Sequence, residues 1–305
     1  MLSTDEITEI FYLTDEFSKE FDMTLSKHQL REDNGKTHRN KPNRLSSSEV
    51  MTILVAFHLS GMRCLKHYYL FYVCKHLHSS FPNLVSYNRF VELQQQVLLP
   101  LVLFLKSCRM GQTTAAGINF IDSTSLKVRH IKREHSKSKI FDGIATKGCG
   151  TMGWFFGFKL HIIINDKGEI ISFIITQANV DDRYPLSIDS FICNVSGKLY
   201  GDRGYISKKL AEILFVDGIQ LVYKMRNNMK GGELPLQDRL MLRKRAVIES
   251  VNDELKNICQ IEHTRHRSFT NFITNLMAGL LAYSFLPKKP SIKVDIMNDK
   301  QLCIF

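Results

Sequence analysis

The sequence predicts an α/β protein in which a mixed five-stranded sheet with flanking helices follows an all-α N-terminal region. Up to about residue 110, apolar residues recur at the three- and four-residue spacing of helices. Beyond Gly117, short runs rich in β-branched and aromatic residues take over. A length of 305 residues suits two domains. We therefore expect a helical region at 1–110, an α/β domain at 111–290 and a tail at 291–305.

The N-terminal region predicts several helices joined by polar segments. In LSSSEVMTILVAFHLSG, a Ser ahead of Glu49 supplies an N-cap and Gly61 a stop. The polar, basic stretch from Ser26 to Arg44 reads as a solvated loop, with contact to a nucleic-acid backbone as the alternative. The other helical patterns cover Ile7–Phe21, Leu65–Lys75 and Ser86–Lys106.

The remaining elements follow in the order β-β-β-α-β-α-β-α. The run INFID begins the first strand, and FFGFKLHIII and EIISFIITQ flank the turn Asn165–Gly168, which predicts a hairpin. Helical crossovers join parallel neighbours, so this order requires a mixed sheet and matches the ribonuclease-H-like layout. The later predictions are helix 183–193, strand 198–202, helix 207–216, strand 219–223 and helix 239–258.

Charge and cysteine content narrow the class of protein. Lys plus Arg number 41 against 30 for Asp plus Glu, a net charge of +11 that favours nucleic acid, although some proteins are simply basic. The seven cysteines are scattered without a C-x-x-C pair and read as reduced thiols. The N-terminus does not resemble a signal peptide. The apolar stretch 269–286 contains polar residues, which favours a buried helix over a membrane span. We expect a cytoplasmic protein with no membrane role.

Two carboxylates stand at the predicted ends of short apolar strands. Asp122 closes NFID and Asp202 closes KLYGD. An Asp in this place ordinarily caps the following turn. If the two strands are neighbours, however, the acids converge, and two carboxylates with a third acid suit Mg²⁺ and phosphoryl transfer.

The last predicted helix presents a polar stripe of Arg245, Glu249, Asn252 and Lys256. A separate apolar stripe would pack on the sheet and consists of Val247, Val251, Leu255 and Ile258. Solvated helices also show such stripes, because ion pairs beside a Glu support helicity by themselves.

Basic clusters provide candidate DNA contacts. The run Lys127–Lys139 holds six Lys or Arg and one acid directly after the first strand, and we read it as a DNA-contacting loop rather than a solvated charge run. A second cluster around Arg265 and Arg267 suits either DNA or packing. Trp154 could stack on a base but is expected in the core. The candidate contacts in the first run are Lys127, Arg129, Lys132 and Arg133.

The chain resembles the bacterial insertion-sequence transposases with a DDE triad, specifically the insertion sequence 982 group. The resemblance spans nearly the whole chain. It is carried by LSSSEVMTIL, FPNLVSYNRFVEL, FIDSTSLKV, GWFFGFKLHIIIN, ANVDDR, GDRGY, RKRAVIESVNDELKN, HTRHRSF and LAYSF. It implies Asp122, Asp202 and Glu249 as catalytic metal ligands. Arg245, Glu249 and Lys256 also fit the Tyr-Arg-Glu-Lys pattern of related transposases, with Leu242 in place of Tyr.

The resemblance implies that Mg²⁺, or Mn²⁺, supports nicking of the element ends and transfer of a DNA 3′-hydroxyl to target DNA. Arg245 and Lys256 would clamp phosphate oxygens. The helical region would read the terminal inverted repeats, with dimerisation or a purely structural role as the alternative. A homodimer or higher oligomer would act on DNA near the bacterial nucleoid. The alternatives are a decayed, non-catalytic DNA-binding relative and a ribonuclease-H-like nuclease without strand transfer.

Overall fold

The computed structural model describes residues 2–28, 43–130, 140–150, 153–224, 234–262 and 266–293. Its contacts divide the chain into two compact units. The first unit comprises Met1–Arg109, Ser138–Phe141 and Asp253–Leu286, and the second comprises Met110–Lys137, Asp142–Asn252 and Pro287–Phe305. The predicted division at residues 110 and 290 stays a prediction, since a compact set of contacts need not fold or act alone.

The described helices are numbered in chain order. They are α1 (Thr4–His28), α2 (Ser47–Leu59), α3 (Leu65–His67), α4 (Cys74–His76), α5 (Tyr87–Gln96), α6 (Leu98–Phe104), α7 (Asp189–Ile192), α8 (Lys208–Val216), α9 (Leu236–Lys244), α10 (Ala246–Asn257) and α11 (Phe269–Ser284). A π-helical turn, Tyr68–Val73, joins α3 to α4, and another, Leu105–Arg109, extends α6. The strands are β1 (Ile118–Arg129), β2 (Thr146–Gly150), β3 (Gly153–Asn165), β4 (Ile170–Gln177), β5 (Gly197–Gly201) and β6 (Ile219–Tyr223).

The first unit is built around α11, which packs against α2, α5 and α6. Leu276, Leu280 and Leu281 on this helix are almost completely buried, so the prediction of a buried helix over this apolar stretch is confirmed. No helix in the described ranges is long and apolar enough to cross a membrane. At the start of α2, the Ser46 side chain accepts from the Glu49 N–H and Glu49 accepts from the Ser46 N–H, which confirms the predicted cap.

The second unit contains a mixed sheet with strand order β2-β3-β1-β5-β6, while β4 pairs with β3. β1 runs antiparallel to β3 and parallel to β5, and β5 runs parallel to β6. A mixed sheet was predicted, but the count of five strands is wrong because β2 adds a sixth. Its sequence, TKGCG, lacks the apolar alternation by which strands are recognised.

β1 is longer than the sequence suggests. Its pairing with β3 continues to Arg129 opposite Phe156, so Asp122 lies inside the strand and the prediction that it closes the strand is wrong. Gly157 of β3 permits this pairing. A Cβ there would lie 2.0 Å from the Leu126 carbonyl oxygen, too close for any side chain. The polar residues after Asp122 therefore stay in the sheet through contacts that are distant in sequence.

The β3–β4 hairpin forms as predicted. Gly168 has a φ of +75°, the left-handed conformation that glycine adopts without strain. The Asn165 side-chain oxygen accepts hydrogen bonds from the Lys167 and Glu169 N–H groups, which closes the turn. Side-chain chemistry local to the turn therefore fixes the register of the two strands.

Three predicted helices are interrupted. The helix predicted over 86–106 is divided at Val97 into α5 and α6. The segment predicted as a helix over 183–193 forms a 3₁₀ turn, Tyr184–Ser187, and then α7, because Ile188 is extended between them. The helix predicted over 239–258 is two helices, α9 and α10, which meet at Arg245. Asp238 fixes α9 on the sheet, since its carboxylate accepts hydrogen bonds from Lys198 Nζ at 2.7 Å and the Tyr200 hydroxyl at 2.8 Å.

Candidate active site

The two predicted strand acids lie on neighbouring parallel strands. Phe120 of β1 pairs with Tyr200 of β5, and Asp122 and Asp202 each follow two residues later. Asp202 comes directly after β5, and its Oδ1 accepts from the Gly204 N–H at 2.8 Å. The capping role that is ordinary for such an Asp is therefore present, and the expectation that the two strands are neighbours is confirmed.

Two side chains of the predicted polar stripe contact Asp122, one from α10 and one from the residue that joins α9 to α10. Asn252 Nδ2 donates to Asp122 Oδ2 at 2.9 Å, and Arg245 Nη1 lies 3.7 Å from Asp122 Oδ1. Arg245 also donates through Nη2 to Glu249 Oε1 at 2.7 Å. A single guanidinium thus lies between Asp122 and Glu249 and partly compensates both charges.

The negatively charged form of Asp122 is destabilised by burial of its carboxyl group. Burial, together with the negative charges of Asp202 and Glu249, raises the pKa of its carboxyl to about 6. Arg245 and the Ser123 N–H act in the opposite direction but do not cancel the effect of burial. A cation beside this carboxylate would offset the unfavourable charge.

The donor set fits a hard divalent cation. Asp122, Asp202 and Glu249 offer carboxylate oxygens, and Asn252 Oδ1 is buried with no hydrogen-bond partner in the described part of the chain. No three His, Cys, Asp or Glu side chains among the described residues are grouped closely enough to hold a metal ion as they stand. Glu249, which is 59% exposed and paired with Arg245, would have to turn toward the two Asp residues.

The buried hydroxyl of Tyr205, in the second unit, was not predicted from the sequence to be of interest. The Tyr205 hydroxyl is buried, and among the described residues it has no hydrogen-bond partner. Burial raises its pKa well above the usual range, and the charges of Asp122, Asp182 and Asp202 act in the same direction. Asp182 is paired with Lys159 at 2.9 Å. Lys159 and Asp182 line a cleft of about 440 Å³.

The candidate DNA contacts after Asp122 differ in their surroundings. Lys127 is exposed on β1. The Arg129 guanidinium lies 3.1 Å from Asp142 Oδ1 and 4.1 Å from the centre of the Phe156 ring, so it already has partners. Lys132 and Arg133 lie outside the described residues.

The candidate DNA contacts near the end of the chain belong to the first unit. Lys256 Nζ lies 3.4 Å from Glu262 Oε2, and its side chain is largely buried. Arg267 is exposed, and Arg265 lies outside the described residues. Ile258, expected in the apolar stripe of this helix, is 45% exposed. The apolar stripe is instead completed by Ile248, which is fully buried.

Trp154 is exposed, and the expectation that it lies in the core is wrong. Its side chain is 63% accessible at the start of β3, with Lys147 Nζ 5.3 Å from the ring centre.

Asn252 was not among the site residues predicted from the sequence, although it contacts Asp122. It lies three residues after Glu249 on the polar stripe, and this spacing was the signal that could have identified it.

Comparison with known proteins places this geometry in context. The family model described as "Transposase DDE domain" matches residues 111–269, which include Asp122, Asp202 and Glu249. No curated protein matches the chain. Among solved structures, the chain is similar to a piggyBac transposase synaptic complex with hairpin DNA, determined by cryo-electron microscopy. The TM-score is 0.49 at 13% identity, covering 92% of this chain and 71% of that one.

Proposed function

The chain belongs to the transposase DDE domain family, whose model matches more than half of it, and we propose that it is an enzyme that cuts DNA ends and joins them to target DNA. The observation that carries the proposal is the meeting of β1, β5 and α10. Asp122, inside β1, and Asp202, directly after β5, lie at matching positions of two paired parallel strands. Asn252 of α10 and Arg245, which directly precedes α10, both contact Asp122. This arrangement concentrates carboxylates beside a guanidinium, as phosphoryl transfer requires.

In this proposal, Asp122, Asp202 and Glu249 are the catalytic residues and hold Mg²⁺, or Mn²⁺. Members of this domain family generally use divalent metal ions. When bound, the ion would stabilise charge on phosphate oxygens and strengthen the oxygen nucleophile. We assign the sheet around the acids to the ribonuclease-H-like class, an assignment supported by the antiparallel pairing of β1 with β3 and the parallel pairing of β1 with β5.

The neighbouring side chains have distinct roles. Asn252 orients the Asp122 carboxylate by donating to Oδ2. Arg245 balances Asp122 and Glu249 before DNA arrives, and its guanidinium would then donate to phosphate oxygens. The Gly204 N–H holds the Asp202 carboxylate at the end of β5. These contacts preorganise the centre, which lowers the reorganisation needed during the reaction.

The reaction that we propose has two steps. Water attacks a phosphodiester at each element end, breaking one P–O bond and freeing a 3′-hydroxyl. That hydroxyl then attacks a target phosphodiester, forming a new P–O bond as the target strand releases its own 3′-oxygen. We assign the chain to the insertion sequence 982 group of bacterial transposases. There it would act in the cytoplasm, as a homodimer or higher oligomer on terminal inverted repeats and target DNA.

Changing Asp202 to Asn tests this proposal. The variant keeps an oxygen to accept from the Gly204 N–H but loses the charge, so we expect end cleavage to fall by at least about 1,000-fold. Binding to the same DNA should stay within a few-fold. The assay uses purified full chain, labelled DNA from the sequence flanking its own gene, and Mg²⁺.

The matched control is Asp217→Asn, an exposed Asp that follows α8. It should cleave as the unmodified chain does. Cleavage by Asp202→Asn near the unmodified rate would refute the assignment. Cleavage without joining by the unmodified chain would instead indicate a nuclease, and binding without any cleavage would indicate a non-catalytic relative.

A further inference from the structure

The first unit contains a basic groove. None of the residues that line it is among the residues assigned to catalysis above. Its volume is about 630 Å³, and three segments line it: residues 63–66 at the start of α3, residues 87–94 of α5, and residues 266–271 at the start of α11. Arg63, Lys66 and Arg267 supply three positive charges. No Asp or Glu is among the described residues that line it.

Among the described residues, the cations of the groove lack carboxylate counter-ions. Arg63, Lys66 and Arg267 are exposed, and within the described residues none forms an ion pair with a carboxylate. By contrast, Arg89 on the same α5 is paired with Glu92 at 2.7 Å. Uncompensated cations lining one concave surface attract an anion. Two helix N-termini, of α5 and α11, contribute residues to the same lining and favour negative charge.

The polar groups of the groove suit a nucleotide better than a bare anion. Asn271 lines it, is only 7% exposed, and its Oδ1 has no hydrogen-bond partner among the described residues. A buried unpaired amide oxygen needs a donor, and the exocyclic amine of a base can provide one. Tyr87 adds an aromatic ring, and the charge of Arg267 acts on its hydroxyl, which indicates that the two are close.

We infer that this groove binds an unpaired nucleotide of a DNA strand, with its phosphates on Arg63, Lys66 and Arg267 and its base edge at Asn271. The inference rests on the proposed function for its choice of DNA. The groove volume lies within the roughly 300–1,000 Å³ of ligand pockets, which admits a nucleotide but not a duplex. An amide side chain pairs best with the adenine edge, so adenine is the expected base.

The test measures DNA binding by the full chain, separately from cleavage. Three labelled oligonucleotides of one sequence are compared by fluorescence anisotropy without divalent metal: a perfect duplex, the duplex with one unpaired adenine, and the single strand. We expect the unpaired adenine to improve affinity over the perfect duplex by about 10-fold, because a base already unstacked needs little energy to enter the groove. Replacing that adenine with cytosine should remove most of the gain.

Two variants separate phosphate contacts from base contacts. The triple change Arg63→Gln, Lys66→Gln and Arg267→Gln should weaken binding to every oligonucleotide. It should also reduce the slope of log affinity against log salt by about two, at roughly 0.7 for each phosphate contact. Asn271→Ala should abolish the preference for the unpaired adenine while leaving the salt slope unchanged. The control Lys27→Gln removes an exposed charge of α1 that does not line the groove and should change neither.

The outcomes distinguish this inference from the proposed function. If the unmodified chain binds DNA but shows no preference for the unpaired base, and the variants bind equally, the groove inference is wrong and the proposed function is untouched. If the unmodified chain binds no DNA at all, both fail. Competition by free deoxyadenosine monophosphate at the oligonucleotide's own concentration would assign the groove to free nucleotides. Thermal unfolding of each variant, monitored by circular dichroism, verifies that it is folded.

Discussion

Among the described residues, the two units differ in whether their clustered charged side chains have counter-ions. In the second unit, Asp122 and Glu249 share Arg245, so the acidic centre carries its own counter-ion. In the first unit, Arg63, Lys66 and Arg267 line a groove whose described lining contains no Asp or Glu. A compensated centre can be assembled during folding and wait for its substrate. A groove whose cations lack counter-ions attracts a negatively charged partner from outside the protein.

The largest effect should come from removing the acid that α10 supplies. We expect Glu249→Gln to lower Mg²⁺-dependent end cleavage by about three orders of magnitude, since it removes a charged ligand of the proposed metal site. Glu254→Gln is the matched change on the same helix and should cleave normally. Glu254 lies about 140° around the helix from Glu249, so both cannot face one centre. Normal cleavage by Glu249→Gln together with loss by Glu254→Gln would reverse the assignment.

Arg245 tests whether the shared counter-ion also serves the reaction. Arg245→Ala should lower cleavage by about 100-fold, because a preorganised donor to the phosphate is lost. The control is Arg243→Ala, an exposed basic residue at the end of α9. Rates are compared in single-turnover assays at saturating Mg²⁺. An unchanged rate in Arg245→Ala would limit this residue to a structural role.

A buried histidine allows the stability of the first unit to be followed apart from catalysis. Burial lowers the pKa of His58 to about 4, and its ring nitrogen is hydrogen-bonded to the Cys259 carbonyl. The unfolded chain binds a proton near pH 6.5 and the folded chain does not. The free energy of unfolding should therefore fall as pH drops from 6.5 toward 4, by about 3 kcal/mol from this group.

Urea unfolding at pH 7 and pH 4.5 measures this loss. The loss should be smaller in His58→Gln by about 2 to 3 kcal/mol. The control His67→Gln changes an exposed histidine of α3 and should keep the full loss. His266 and His161, whose pKa values burial also lowers to about 4, will retain part of the dependence in both variants. Equal losses in His58→Gln and the unmodified chain would contradict the assignment to His58.

The smallest effect is expected at Asn252. Asn252→Ala removes the hydrogen bond to Asp122 but no charge, so cleavage should fall by about 10-fold. Asn257→Ala removes a surface hydrogen bond to Asp253 on the same helix and serves as the control. The pH–rate profile should also shift upward in Asn252→Ala, because a donor that stabilises the Asp122 carboxylate is lost. A lower rate with an unmoved profile would indicate only a packing defect.

Local chemistry made part of this fold predictable. The Ser46 and Glu49 cap, the turn that ends at Gly168 and the position of Asp202 after β5 each depend on residues a few positions apart. The length of β1 was not predictable, because polar residues after Asp122 are kept in the strand by β3. β2 has no apolar pattern of its own and forms only against β3.

The same distinction applies to the sites. The spacing of Arg245, Glu249 and Asn252 placed them on one side of a helix, and their contacts agree with that spacing. The pairing of Arg129 with Asp142 could not be anticipated, since the strand pattern does not indicate which acid lies beside it. The basic groove was also missed. Its walls come from segments around residues 63–66, 87–94 and 266–271, which only the tertiary structure brings together.

Gly157 shows that an intact set of acids does not guarantee a working enzyme. The Leu126 carbonyl leaves no room for even a methyl group at this position, so Gly157→Ala would force β1 and β3 apart. β1 is also the strand that carries Asp122. A copy of the gene could therefore be silenced by one substitution that leaves every carboxylate in place. If only the carboxylates are inspected, some inactive copies of the gene will therefore be classified as active.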